Sequence, residues 1–252
     1  MIAVTEVVSR LDSVLDAESS DRYTFNQDFK QAINYAVEWI QSVLNRAYSE
    51  NKLTEENLGE LTRVSVFQTN AYSRFKMDPT QMGHSVWSIL AVLPEITTIP
   101  ANATIIALAD ASESIYRTNV SFEKSNFSAK RLTSEEWEEN NQNPFVAGNT
   151  ILNNGLKKYG YLNNTIYTSS NYLESTPQIE VRPSQVRQFV AVRYLIYPNL
   201  IAGINDVIPF PKTLTNLVVM KANNFISMKQ GDNTNLYSVS AEDVSTLTKI
   251  IL

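Results

Sequence analysis

Gln188-Phe189-Val190-Ala191-Val192-Arg193-Tyr194-Leu195-Ile196-Tyr197-Pro198 is the stretch on which the fold turns. Val190, Val192, Tyr194 and Ile196 fall on one side of a two-residue repeat, with Arg193 and the upstream Arg187 on the other, which predicts a strand. Pro198 has no N–H to donate to a ladder and closes it. Just upstream, Gln178–Arg182 reads as a second strand. Before it, Tyr159–Ser170 reads as a hairpin in which Tyr161 and Leu162 approach, and Ile166 and Tyr167 leave, a two-residue turn at Asn163-Asn164. Downstream the period changes. Pro209-Phe210-Pro211 leads into a helix with Leu214, Val218, Ala222, Phe225 and Ile226 on one side, and Gly231 as its stop. Ser240-Ala241-Glu242-Asp243 is a capping box that opens a last helix, with Val244, Leu247, Ile250 and Ile251 on its apolar face.

The N-terminal third is helical by pattern. A first helix is expected over Ile2–Asp16 and ends at the polar stretch Glu18–Arg22. A second is expected over Phe25–Glu50, opened by a Thr24–Gln27 capping box, with Phe29, Ile33, Ala36, Val37, Ile40, Leu44 and Ala47 on one buried face. A short helix after Thr54, carrying Leu58 and Leu61, gives way to strand-like sequence at Val64–Met77 and Val86–Ile99, the latter apolar enough to be a central strand. Tyr116, Thr118, Val120 and Phe122 alternate with polar residues, as in a half-buried antiparallel strand. Thr133-Ser134-Glu135-Glu136 caps a short helix, and an asparagine-rich loop or arm follows over 140–154. The fold class is therefore α+β: N-terminal helices, a central antiparallel sheet region with a hairpin, and C-terminal helices. The expected organisation is a helical region over 1–62 and a mixed sheet and helix region over 63–252, one continuous domain.

Composition narrows the function classes. With 252 residues and 43% hydrophobic content the chain can bury a substantial core. It has no cysteine, which removes disulfides and thiolate metal sites and favours a reducing compartment. No apolar run approaches the roughly 20 residues of a membrane span, and the charged first helix is no signal-peptide core, so a soluble protein without membrane association is expected. Residues 1–62 hold eleven acids against five bases, and 181–252 four acids against seven bases, an asymmetry by which one subunit's acidic end would suit a neighbour's basic end. No basic stripe interleaved with aromatics marks a nucleic-acid binder.

Catalytic patterns are sparse. His84 is the sole histidine, and Gly83-His84-Ser85 has no nucleophile elbow near it, so it reads as a loop histidine. Glu135, Glu136, Glu138 and Glu139 place carboxylates at a helix start, where the helix dipole explains them as well as a divalent cation would. Gly155 and Gly160 stand at phosphate-loop spacing, but Tyr161 takes the place of the lysine. Two dispersed carboxylates acting as a hydrolase pair need no local motif. Tyr159, Tyr161, Tyr167 and Tyr172 among asparagines suit either a carbohydrate-binding face or hairpin packing. No enzyme activity and no cofactor are expected.

Four segments together resemble the head-to-tail adaptor or ring proteins of short-tailed bacteriophages, including the crAss-like phages. They are Asn34-Tyr35-Ala36 in the N-terminal helical part, the Tyr161-Leu162-Asn163-Asn164-Thr165-Ile166-Tyr167 stretch, the strand ending Tyr197-Pro198, and Ile208-Pro209-Phe210-Pro211. The resemblance implies a virion structural protein of the head–tail junction, made in the host cytoplasm. It further implies a homo-oligomeric ring, often twelvefold, that stacks on the portal protein and joins it to other ring or tail proteins while DNA passes through without sequence-specific binding. On that reading the partner interface is sought in Val244, Leu247, Ile250, Ile251 and Leu252 of the last helix, and in Tyr161, Asn163, Asn164 and Tyr167 of the hairpin. The alternative is a carbohydrate- or receptor-binding tail module built on those tyrosines.

Overall fold

A computed structural model of the chain describes residues 1–15, 23–69, 74–94, 99–100, 104–106, 119–120, 130–133, 136, 158–162, 166–167, 173–174, 178–182, 189–228 and 239–252. The architecture is α+β, with helices from both ends of the sequence and sheets between. The helices are α1 (Val4–Val14), α2 (Lys30–Ser49), α3 (Pro79–Met82), α4 (Thr215–Met228) and α5 (Ala241–Ile251). The strands run from β1 (Ile2–Ala3), β2 (Thr62–Gln68), β3 (Arg74–Lys76), β4 (Val86–Pro94), β5 (Ile99–Pro100), β6 (Thr104–Ile106) and β7 (Asn119–Val120) to β8 (Lys130–Leu132). They continue with β9 (Lys158–Leu162), β10 (Ile166–Tyr167), β11 (Leu173–Glu174), β12 (Gln178–Arg182), β13 (Phe189–Ile196) and β14 (Val207–Ile208).

Two compact units result, one of Met1–Thr62 with Tyr197–Leu252 and one of Arg63–Ile196. The division falls at 62/63 and again after Ile196, so the C-terminal helices share a unit with the N-terminal ones. A helix with a one-sided apolar face is stable only against a matching face, and α1, α2, α4 and α5 supply such faces to one another.

In the helical unit, α2 packs against both α4 and α5, and α1 against α4. The seven apolar residues expected on one face of Phe25–Glu50 are all buried, but so are Ala32, Tyr35, Trp39 and Val43, because α2 has neighbours on more than one side. The helix start departs from expectation. Thr24 makes no side-chain cap; the first turn, Phe25–Phe29, is a π-turn, and the Phe29 N–H reaches the Thr24 carbonyl at 3.3 Å. The wider turn moves the reciprocal carboxylate one residue along, so Asp28 Oδ2, not Gln27, accepts the Thr24 N–H at 3.1 Å. The first helix also begins two residues late, because Ile2–Ala3 forms β1 and pairs antiparallel with β14, Ile2 opposite Ile208. Leu58 and Leu61 are buried from a 3-10 turn over Glu56–Leu61, and Leu214 from another over Lys212–Leu214 that leads into α4.

In the sheet unit the strand orders are β3-β12-β9-β8 and β4-β13-β2-β6. Antiparallel pairing dominates, with parallel pairs at β8/β9 and β2/β6. β4, expected to be central, stands at one end of its sheet among the described strands; the interior strands are β13 and β2. That position buries β13 on both faces, at Val190–Val192 and Tyr194–Ile196, and leaves Arg193 exposed beside a bulge. Stacked rings of Phe67 (β2) and Phe75 (β3), 4.8 Å apart, join the two sheets. Glu180 on β12 is buried and ion-paired at 2.9 Å with Arg74, its partner across the ladder on β3.

Two further expectations change. β9 is paired on both edges, with β12 and β8, so it is not the first arm of a hairpin with Ile166–Tyr167; the antiparallel pair here joins β10 to β11. Asn163 and Asn164 lie outside the described residues. The described part of the Tyr116–Phe122 strand, Asn119–Val120, pairs parallel with β5, not antiparallel, and the rest of that stretch, like the asparagine-rich 140–154, lies outside the described residues.

Candidate functional site

Three of the four segments that carry the resemblance belong to the helical unit. Asn34, half-way down the first buried turn of α2, receives the Ile201 N–H on Oδ1 at 2.6 Å and gives Nδ2–H to the Ile201 carbonyl at 3.1 Å. This amide-to-backbone clamp spans 167 residues of sequence and fixes the 199–206 loop onto α2. One residue on, the Tyr35 ring stacks on Phe225 of α4 with centroids 4.8 Å apart, and Ala36 is fully buried. Phe210, from the Ile208–Pro211 lead, is fully buried as well, and Ile208 is held opposite Ile2.

The clamped loop is built to be rigid. Asp206 Oδ2 accepts the N–H groups of Ala202 and Gly203 at 2.7 and 2.9 Å, and these bonds hold its carboxyl below the usual carboxylate range. The Asp206 carbonyl accepts the Val4 N–H at 3.1 Å, tying the loop to the start of α1. With Ile201 turned inward and buried, Leu200 (59% exposed), Ile204 (41%) and Val207 (51%) face water. Sequence reading missed these three residues; the only signal was apolar side chains within a turn-rich stretch whose single charge is Asp206.

The expected partner residues of the last helix divide. Val244 and Leu247 are fully buried, in a helix that packs on α2, so they hold α5 in its own unit. Ile250 and Ile251 are half-buried, and Leu252 is 77% exposed. The Ser240–Asp243 capping box is present in both directions, with the Asp243 N–H bonded to Ser240 Oγ at 3.1 Å and Asp243 Oδ2 accepting the Ser240 N–H at 2.9 Å. Burial opposes ionisation of Asp243, but the Ser240 bonds and the Lys221 ammonium, 3.8 Å away, outweigh it and lower its pKa. Lys221 also sits 3.5 Å over the Trp39 ring, so α2, α4 and α5 meet at one cation. The chain's acidic start and basic end therefore fold into one unit, with basic Lys221 facing Asp243 of its own terminal helix.

The hairpin candidates are placed by register alone: Tyr161 stands opposite Ile179 on β12, and Tyr167 opposite Leu173 on β11. Of the acidic cluster, Glu136 is described; its N–H bonds Thr133 Oγ1 at 3.2 Å and its Oε2 accepts the Thr133 N–H at 2.8 Å, which is the expected capping box. Among the described residues no three histidine, aspartate or glutamate side chains gather as metal ligands, and no helix is long and apolar enough to cross a membrane. His84 is not a bare loop histidine: its Nε2 lies 2.9 Å from the hydroxyl of buried Tyr194, and the rings stack at 5.6 Å. The sequence matches no protein-family model and no curated protein at a significant level.

Proposed function

We propose that this chain is a virion structural protein, the subunit of a head-to-tail connector ring that stacks on the portal and links it to the tail while DNA passes through. The observation that carries this reading is the convergence of three of the four resembling segments on one framework. Asn34-Tyr35-Ala36, Tyr197-Pro198 and Ile208–Pro211 belong to the same helical unit, where Asn34 clamps Ile201 and Phe210 is sealed in the core. On this reading the framework serves as a scaffold for contacts, and ring closure needs heterologous contacts between identical subunits. The exposed Leu200, Ile204 and Val207 are among the apolar residues on that scaffold's surface and join Leu252 as the partner-facing candidates.

Mass photometry of the purified protein with the portal complex encoded in its own genome is the test. Addition of many copies per portal supports the connector; a portal that stays bare rejects it.

A further inference from the structure

A buried hydrogen-bond chain crosses the sheet unit. Ser65 Oγ on β2 is 2.8 Å from the Tyr194 hydroxyl on β13, and that hydroxyl is 2.9 Å from His84 Nε2. Ser65 and Tyr194 are buried, whereas His84 is half-exposed, so the chain meets water at the imidazole. His84 belongs to the short connection between α3 and β4, where Gly83 takes φ +75° and ends α3 through its N–H to the Pro79 carbonyl at 2.9 Å. The Tyr194 contact ties this connection to β13, an interior strand of its sheet.

Proton counting gives the chain a direction. With His84 neutral and its proton on Nδ1, Ser65 donates to Tyr194 and Tyr194 donates to Nε2, and both bonds are satisfied. A second imidazole proton makes Nε2 a donor. Tyr194 must then turn its proton to Ser65 Oγ, the buried Ser65 hydroxyl must point its own proton away from Tyr194 to another acceptor, and the new positive charge is repelled by the Arg63 guanidinium on β2. Arg63 and Tyr194 are the charged and titratable groups acting on the ring from the strands packed against it.

We propose that Ser65, Tyr194 and His84 form an acid-released latch: the neutral imidazole holds the 83–85 connection against β13, and protonation of His84 frees it. This inference does not depend on the connector reading. Burial first, and Arg63 second, depress the pKa of His84 below its ordinary 6.5 in the latched state. The sign follows: a group whose pKa is depressed when latched holds the latch shut above about pH 6.5, and opening grows as pH falls through the window below it.

His84 is the only histidine, so its imidazole C–H signals in a proton–carbon NMR titration identify themselves. The titration should give a pKa below that of a histidine peptide. Hydrogen-exchange protection factors at 83–86, corrected for the intrinsic pH dependence of exchange, should fall by up to about tenfold per pH unit across that window. Tyr194→Phe, which keeps the ring and removes the hydroxyl, should show the unlatched protection already at neutral pH. An ordinary His84 pKa, or protection at 83–86 that is constant through the titration, overturns the latch; the wild-type measurement decides this even where Tyr194→Phe fails to fold.

Discussion

Asn34 uses both ends of its amide on one backbone residue, Ile201, and so closes a loop of chain that no local signal connects. Asn34→Ala strands the Ile201 N–H and C=O beside a buried turn and is expected to cost about 1–3 kcal/mol, measured by urea unfolding; an unchanged midpoint would show that Asp206 alone holds the loop. The acid side of stability has its own residue. Asp243 has a depressed pKa, so its contribution is present above the ordinary carboxylate value and is lost as pH falls through the folded one. Melting temperature against pH should fall below about pH 4 in the wild type and less steeply in Asp243→Asn. At this scale the sequence was legible where partners are near neighbours: Ser240 with Asp243, and Thr133 with Glu136, pair across three residues. It was silent on Ser65, Tyr194 and His84, whose meeting requires β2 and β13 to be neighbours in a sheet, with His84 delivered to them by the connection after α3.

Helix α5 is an element whose attachment can be weighed. Val244 and Leu247 are its fully buried side chains, so Leu247→Ala is expected to destabilise by about 2–5 kcal/mol and Ser240→Ala by about 1 kcal/mol, both read by thermal or urea unfolding. Values near zero for Leu247→Ala would mean that α5 leaves the unit in solution. Periodicity located α2, α4 and α5 because an amphipathic face is written every three or four residues. It did not reveal that α2 is covered on more than one side: Tyr35 and Trp39 lie outside the expected apolar face, and their burial comes with the neighbouring helices. Strand order was the least legible. The run Val86–Pro94 is apolar enough for an interior strand, yet β13 and β2 hold the interior positions, and the pairing of β9 with β12 and β8 is a choice among distant partners.

For the molecule as a whole, the exposed loop makes the connector reading testable without disturbing the core. Leu200→Asp combined with Ile204→Asp should leave the unfolding midpoint within about 0.5 kcal/mol of the wild type, because both side chains already face water, while addition to the portal is lost. Retained addition would move the interface elsewhere, to Leu252 or the sheet unit. The α+β class was legible from the order of periods along the chain, but the joining of the two ends into one unit was not, because charge and apolar pattern are read in sequence and assembled in space. That joining sets a timetable for synthesis. Residues 1–62 leave the ribosome first, yet α2 finds α4 and α5 only after 63–196 and the segment beyond have been made. At about 5–20 residues per second, the first helices wait on the order of ten seconds with their apolar faces open to chaperones, whereas the sheet unit is complete at Ile196, before α4 and α5 are made.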